Sequence, residues 1–236
     1  MKRPSKAYAY EIFHQLEKHY SKARMILEWG NNWELIVAII LSAQCTDIMV
    51  NKVTAKLFPK YRKGLLNQRN PYEWDNEIYT IDKAEFNEIV AFATLPLSEL
   101  EQDIKSTGFY RNKAKNIQAA AKMMLEKYHG VFPKTIAELI NIPGVGRKTA
   151  NVFLGNAYKI YEGIAVDTHV MKQSQLLGLT KETKPEKIEK DLMKLFDQKD
   201  WFKLTYLLIE HGRNMRKKKS DRIVCEEKDC ILCKDK

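Results

Sequence analysis

Thr135-Ile-Ala-Glu-Leu-Ile-Asn-Ile-Pro-Gly-Val-Gly-Arg-Lys-Thr-Ala-Asn151 decides how this chain is read. It spells helix, tight turn, helix. Thr135 and Glu138 stand at capping-box spacing, so a helix can start there. Ile136, Leu139 and Ile140 give that helix an apolar face. Pro143-Gly144 ends it, because proline lacks a backbone N–H and disfavours helix in the residue before it. Gly144 and Gly146 permit positive φ and let another backbone come close. A second helix begins near Arg147 and turns Ala150, Phe153, Leu154 and Ala157 inward. Lys148, Asn151, Val152 and Gly155 fall on another face.

A glycine turn that opens a helix leaves backbone N–H groups without intrahelical partners, and the helix dipole adds positive potential. That arrangement suits a phosphate. A nucleotide P-loop needs glycine directly before Lys-Thr and a strand upstream. Arg147 fills the glycine position and a helix precedes the turn, so the P-loop is excluded. A hairpin gripping a nucleic-acid backbone through Gly144, Val145, Gly146 and Arg147 remains. The plain alternative is a helix–helix corner with no ligand. Arg147-Lys148 and the segments downstream favour the first.

Working outward, the 236 residues suffice for one large or two modest domains. Forty Lys and Arg face 30 acids, a formal charge of +10, which points to a polyanionic partner. A solubilising surface charge is the ordinary competing explanation. No secretory leader pattern is present, and the longest apolar run, Leu35 to Leu41, is too short to span a membrane. The four cysteines are one isolated residue and a terminal cluster, not a secreted disulfide framework. The expectation is a cytoplasmic, nucleoid-associated monomer.

Helical periodicity covers residues 5–28, with Ile12, Phe13, Leu16 and Tyr20 on one face. Gly30-Asn31-Asn32 breaks it. Trp33 to Ala43 is a strongly apolar helix. Thr46 or Asp47 caps the next helix, through Val50, Val53 and Leu57. Residues 61–90 read as irregular with short helical patches, and periodicity returns from Ser98. Gly108-Phe109-Tyr110-Arg111-Asn112-Lys113 interleaves aromatic and basic residues, which suits bases stacking while charges hold phosphates. A helix cap with a core aromatic fits equally well. Asn116 to Tyr128 is a further helix, ended by Gly130. Gly163-Ile164-Ala165-Val166 is an apolar run closing on Asp167-Thr168-His169, where the acid is either an N-cap or a carboxylate held in a dry place. Trp201 to Ile209 is amphipathic and ends at His211-Gly212-Arg213. Arg216 to Lys219 is a dense basic run, followed by Cys225, Cys230 and Cys233. No internal repeat and no convincing strand is found, so the fold class is all-α.

Leu41-Ser-Ala-Gln-Cys-Thr-Asp47, Gly108-Phe-Tyr-Arg-Asn-Lys-Ala114, Ile142-Pro-Gly-Val-Gly-Arg-Lys-Thr-Ala-Asn151, Ala165-Val-Asp-Thr-His169 and His211-Gly-Arg213 come in a fixed order. In this the chain resembles the endonuclease III family of helix-hairpin-helix base-excision DNA glycosylases. The likeness runs from about Ile12 to Arg213, outside residues 61–90. It implies a six-helix domain over 33–160 with the helix-hairpin-helix at 135–158. A second helical domain would be built from 1–32 and 161–236, with a DNA groove between the two. It implies Lys148 as the Schiff-base lysine and Asp167 as the catalytic aspartate. The attacking lysine must be the neutral amine. The helix N-terminus, Arg147 and partial burial are each expected to disfavour its ammonium. The implied activity is a bifunctional glycosylase/AP lyase that excises oxidised pyrimidines from duplex DNA and nicks the abasic site by β-elimination. A hairpin DNA-binding protein without catalysis, and a mismatch or alkylated-base glycosylase of the same superfamily, remain as alternatives.

Gln44 and Phe109 are the candidates to fill the gap left by a flipped base. Arg111, Lys113, His169 and the basic run Lys217, Lys218 and Lys219 are candidate DNA contacts, and Thr46 a weaker one. The family places a [4Fe–4S] cluster on four cysteines, the first just after His-Gly-Arg. Here Arg216 holds that place, and Cys225, Cys230 and Cys233 remain, with different spacing. No cofactor is expected to be needed for the chemistry, and the cluster is expected to be lost. Any metal site on those three would need a fourth ligand, such as His211.

Overall fold

The computed structural model describes residues 4–63, 72, 81–217 and 223–225; the side chains at 216, 217 and 223–225 are outside the description. In chain order the helices are α1 (Lys6–His19), α2 (Asn32–Ser42), α3 (Asp47–Arg62), α4 (Lys83–Thr94), α5 (Leu97–Asp103), α6 (Tyr110–Glu126), α7 (Ile136–Leu139), α8 (Arg147–Ala157), α9 (Thr168–Leu176), α10 (Pro185–Leu195) and α11 (Gln198–Asn214). A 3-10 turn at Lys105–Thr107 precedes α6. Among the described residues the rest is helix and loop but for one short antiparallel pair, β1 (Met215–Lys217) with β2 (Ile223–Cys225), where Met215 faces Cys225. The sequence carries no alternating pattern there, so the pair departs from the all-α expectation.

The chain divides into two compact units, one of Ile26–Ile160 and one of Met1–Met25 with Tyr161–Lys236. Residues 26–32, expected with the discontinuous unit, belong to the contiguous one. Asn51 of α3 holds them there: its Nδ2 donates to the Ile26 carbonyl at 2.8 Å and its Oδ1 accepts from the Glu28 N–H at 3.1 Å.

The contiguous unit is built around α2. Every residue from Trp33 to Leu41 is buried, the pattern of a helix enclosed on all sides. Asn31 caps it, accepting the Glu34 N–H at 2.8 Å. Trp33 packs against Phe92 and Phe132, and Phe132 against Phe153 of α8. Burying each such side chain contributes roughly 1.5–3 kcal/mol. This core fixes α8, and with it the hairpin, to the centre of the unit. Glu34 is wholly buried and is paired with Arg62, whose Nη2 lies 2.5 Å from its Oε1.

The discontinuous unit packs Ile12, Phe13 and Leu16 of α1 with Leu192 of α10, Phe196, and Leu204, Leu207 and Leu208 of α11. Helix α1 is shorter than the 5–28 periodicity predicts. It stops at His19, where Tyr20 takes a non-helical conformation and its N–H bonds back to the Leu16 carbonyl. Tyr20 is instead drawn into the core, its hydroxyl 3.1 Å from His211 Nδ1. Helix α4 occupies part of the segment expected to be irregular, and α11 runs on through His211-Gly212-Arg213 rather than ending at it.

Candidate active site and nucleic-acid interface

Helix α7 is one turn. Thr135 caps it: its Oγ1 accepts the Glu138 N–H at 3.3 Å and donates to the Glu138 carboxylate at 2.6 Å. Ile136 and Leu139 are buried as expected, but Ile140 is 48 % exposed. The helix closes before Ile140, and bonds from Asn141 N–H to Glu138 O and from Ile142 N–H to Leu139 O tighten the chain away from the predicted face. The turn itself is closed by the Val145 N–H on the Ile142 carbonyl at 3.0 Å, with Pro143 leading and Gly144 at φ +81°. Proline there followed by positive φ is the pattern of a type II turn.

The two glycines of the turn do different things. A Cβ on Gly144 would lie 3.0 Å from Asn116 Cβ and 3.4 Å from Ile40 Cδ1, so Gly144 is demanded by the protein's own fold. A Cβ on Gly146 would meet nothing within 4 Å, and its φ of −93° suits any residue. Gly146 caps α8 with no side-chain cap bond and is exposed, while Val145 is buried beneath it. The open space over Gly146, at the start of α8, is where a ligand backbone can approach the helix N–H groups.

Arg147 and Lys148 occupy the first turn of α8, and both are exposed. The expected partial burial of Lys148 is therefore incorrect: the inward positions are Ala150, Phe153 and Leu154, and Lys148 points off that face. Ala157, also expected inside, is half-buried. Asp167 closes the buried run Ile164-Ala165-Val166 and caps α9, its Oδ1 accepting the Val170 N–H at 2.8 Å. Among the described residues Oδ2 accepts no hydrogen bond, so capping leaves one carboxylate oxygen for other use. His169 is half-buried against α11: a Cβ on Gly212 would stand 2.7 Å from His169 Nδ1. The glycine of His211-Gly212-Arg213 is thus the place where α11 accommodates the histidine.

Gln44 and Phe109 share an unusual backbone. Both have positive φ, +53° and +48°, and neither is glycine. Both side chains are exposed, Phe109 by 64 %. Phe109 is therefore not a core aromatic. Strained, exposed residues cluster at functional sites. Thr46, not Asp47, caps α3, through the Met49 N–H at 3.3 Å. Arg111 is exposed, lies over the Tyr110 ring at 4.9 Å and stands 4.0 Å from Glu101.

Lys113 corrects the sequence reading. It is 5 % exposed, and its ammonium donates to the Leu41 and Thr107 carbonyls, each at 2.8 Å. Burial pulls this ammonium below the ordinary lysine range. It is spoken for inside the protein and does not present itself to a phosphate. The basic spacing in Arg111-Asn112-Lys113 gave no sign of this, because a helix sends positions two apart to different faces.

Lys218, Lys219, Cys230 and Cys233 lie outside the described residues, and Lys217 and Cys225 are described only as strand positions. Among the described residues no group of three or more His, Cys, Asp or Glu side chains is placed to hold a metal. His211, the possible fourth ligand, is wholly buried with Nδ1 on the Tyr20 hydroxyl, and burial first, then the His19 charge, pushes it down to about 4. Cys45, partly buried, stands between α2 and α3 of the contiguous unit. No helix among the described residues is long and apolar enough to cross a membrane.

A glycine turn that opens a helix with Arg147 and Lys148 exposed on its first turn is an arrangement suited to a phosphate backbone. Residues 37–198 match the family described as HhH-GPD superfamily base excision DNA repair protein, and the chain belongs to that family. It is 44 % identical over 205 residues to endonuclease III of Synechocystis, covering 87 % of this chain and 82 % of the relative. Among solved structures it resembles a non-covalent endonuclease III–DNA complex, with TM-score 0.79 and 36 % identity over 98 % of this chain and 96 % of that one. It also resembles a trapped endonuclease III–DNA covalent intermediate with an estranged adenine, with TM-score 0.74 and 37 % identity over 89 % and 87 %.

Proposed function

We propose that this protein is a DNA-repair glycosylase and AP lyase that excises oxidised pyrimidines from duplex DNA and nicks the resulting abasic site. The observation that carries the reading is the exposed Lys148 on the first turn of α8, directly behind an open glycine hairpin. Such a hairpin grips a backbone phosphate, and the lysine then stands beside a nucleotide rather than inside the protein.

The chemistry runs on side chains of this chain. The Lys148 Nζ lone pair attacks C1′ of the flipped nucleotide, and the bond from C1′ to the base breaks, the base leaving with the electron pair and taking up a proton. Asp167, through the oxygen its cap leaves free, offsets the positive charge that develops on the sugar. The nitrogen, cationic after the attack, loses one of its two protons and the ring oxygen gains one as the C1′–O4′ bond breaks; the nitrogen lone pair forms the double bond, leaving a protonated imine at C1′. That imine acidifies C2′. Removal of the C2′ proton expels the phosphate on C3′ and breaks the strand, and water releases the enzyme from the imine.

Gln44 and Phe109 enter the base stack in place of the flipped nucleotide. Arg111, Arg147 and the run Lys217 to Lys219 supply charge to the phosphates, and His169 is a further DNA contact. The terminal cysteines do not fit a four-thiolate cluster: Arg216 stands where the first would be, and Cys225, Cys230 and Cys233 supply three thiolates. The chemistry above draws on no cluster. Purified anaerobically, the protein should lack the visible iron–sulfur band; a brown protein with stoichiometric iron and sulfide overturns this part.

The test of the whole is a labelled duplex carrying one 5,6-dihydroxy-5,6-dihydrothymine. The expected products are free base, a 3′ unsaturated aldehyde and a 5′ phosphate. Binding with no cleavage indicates a DNA-binding protein without catalysis. Cleavage confined to mismatched or alkylated bases overturns the substrate assignment.

A further inference from the structure

Lys113 is a charged side chain with no role in the chemistry and almost no contact with water. Lysine is almost never fully buried without partners, because removing an ammonium from water is costly. Here the partners are two carbonyls, and their positions are informative. Leu41 lies in the last turn of α2, where carbonyls lack intrahelical donors and a cation is favoured. The neighbouring Ile40 and Ser42 carbonyls are taken by the Ala43 and Cys45 N–H groups, at 3.3 and 3.1 Å. Thr107 ends the 3-10 turn just ahead of Gly108-Phe109. One ammonium therefore joins the segment leading into Gln44 to the segment leading into Phe109, at 2.8 Å to each.

Both of those residues hold positive φ, and burial of their own side chains does not hold them there, since both are exposed. Such backbone strain persists only where the surroundings fix it. We propose that Lys113 is a positioning residue: its buried ammonium clips the turn after α2 to the turn before α6 and so presents Gln44 and Phe109 together to the DNA. This rests on the reading of those two as the residues that replace the flipped base. Lys113 touches neither substrate nor reacting atoms.

The experiment compares Lys113→Met, Phe109→Ala, the double variant Gln44→Ala/Phe109→Ala, and the triple combination. Each is assayed for single-turnover base release from the lesion duplex and for borohydride trapping on an abasic site in single-stranded DNA, which has no partner strand to hold apart. Lys113→Met should slow duplex excision about tenfold or more, as misplacement of a positioning group does, and leave single-strand trapping within about twofold. In the Gln44→Ala/Phe109→Ala background it should add less than about twofold, because there is nothing left to position. Equal losses on both substrates, full additivity, or no loss at all overturns the proposal. If Gln44→Ala/Phe109→Ala itself causes no duplex-specific loss, the base-replacement reading is what fails. Should Lys113→Met not fold, Lys113→Gln, shorter but still a donor, takes its place in the same comparison.

Discussion

Replacing Gly144 and Gly146 by alanine, one at a time, separates what the fold needs from what DNA needs. At Gly144 φ is +81°, and an L side chain in left-handed backbone costs roughly 1–2 kcal/mol. The new Cβ also meets Asn116 Cβ at 3.0 Å, a contact that forces a shift. A total near 2 kcal/mol lowers the melting temperature of a chain this size by roughly 4–8 °C. At Gly146 the new Cβ meets nothing and φ is ordinary. Alanine there loses about 0.5–1 kcal/mol of N-cap preference but gains about 0.4–1 kcal/mol from a stiffer unfolded chain. The net is close to zero, and the melting temperature should stay within about 3 °C. Binding should behave the other way: Gly146→Ala puts a methyl group where the DNA backbone approaches. It should weaken binding to lesion-containing and undamaged duplexes alike, because phosphate contacts carry no sequence information. Thermal melting and fluorescence anisotropy read the two effects. Equal destabilisation by both variants, or full-strength DNA binding by Gly146→Ala, would refute the division of labour.

Asp167→Asn keeps a side chain that caps a helix as well as aspartate does, so the melting temperature should barely move while base release slows strongly. A variant that mainly unfolds would mean Asp167 serves only α9. Glu88 is pushed up to about 8, by burial first and by the Glu34 carboxylate, against the hydrogen bond from Asn31. A carboxyl raised above its unfolded value of 4.5 stabilises the folded state when protonated, and that stability is lost as pH climbs towards 8. Glu88→Gln should flatten this decline and be the more stable protein at alkaline pH. An unchanged slope in pH-dependent melting would exclude Glu88 as its source.

The all-helical class, the hairpin and the buried helix around Trp33 to Leu41 were legible in the sequence, because periodicity, capping residues and Pro-Gly are local signals. The bounds of α1 were not. The pattern on residues 5–28 continues past His19, but Tyr20 leaves the helix to meet His211, a contact that no local window contains. Ile140 failed for the opposite reason: a one-turn helix is too short for its periodicity to hold. At the site, Asp167 could be placed at a cap and the two glycines in a turn, but nothing in Gly144-Val145-Gly146 says which glycine is open. Lys113 could not be told from a surface lysine, since its partners are backbone carbonyls of residues with no distinguishing side chain. The positive φ of Gln44 and Phe109 is likewise a property of the folded backbone alone.

The central claim is that Lys148 attacks the sugar, and borohydride trapping tests it most directly. Wild-type protein is mixed with lesion-containing duplex, reduced, digested and sequenced by mass spectrometry. The account predicts one stable adduct, on Lys148, and none for Lys148→Gln, which should still bind the duplex nearly as well because one lost charge among many costs little. A Lys148→Gln protein that is trapped as efficiently as wild type, or a wild-type adduct mapped to another amine, contradicts it.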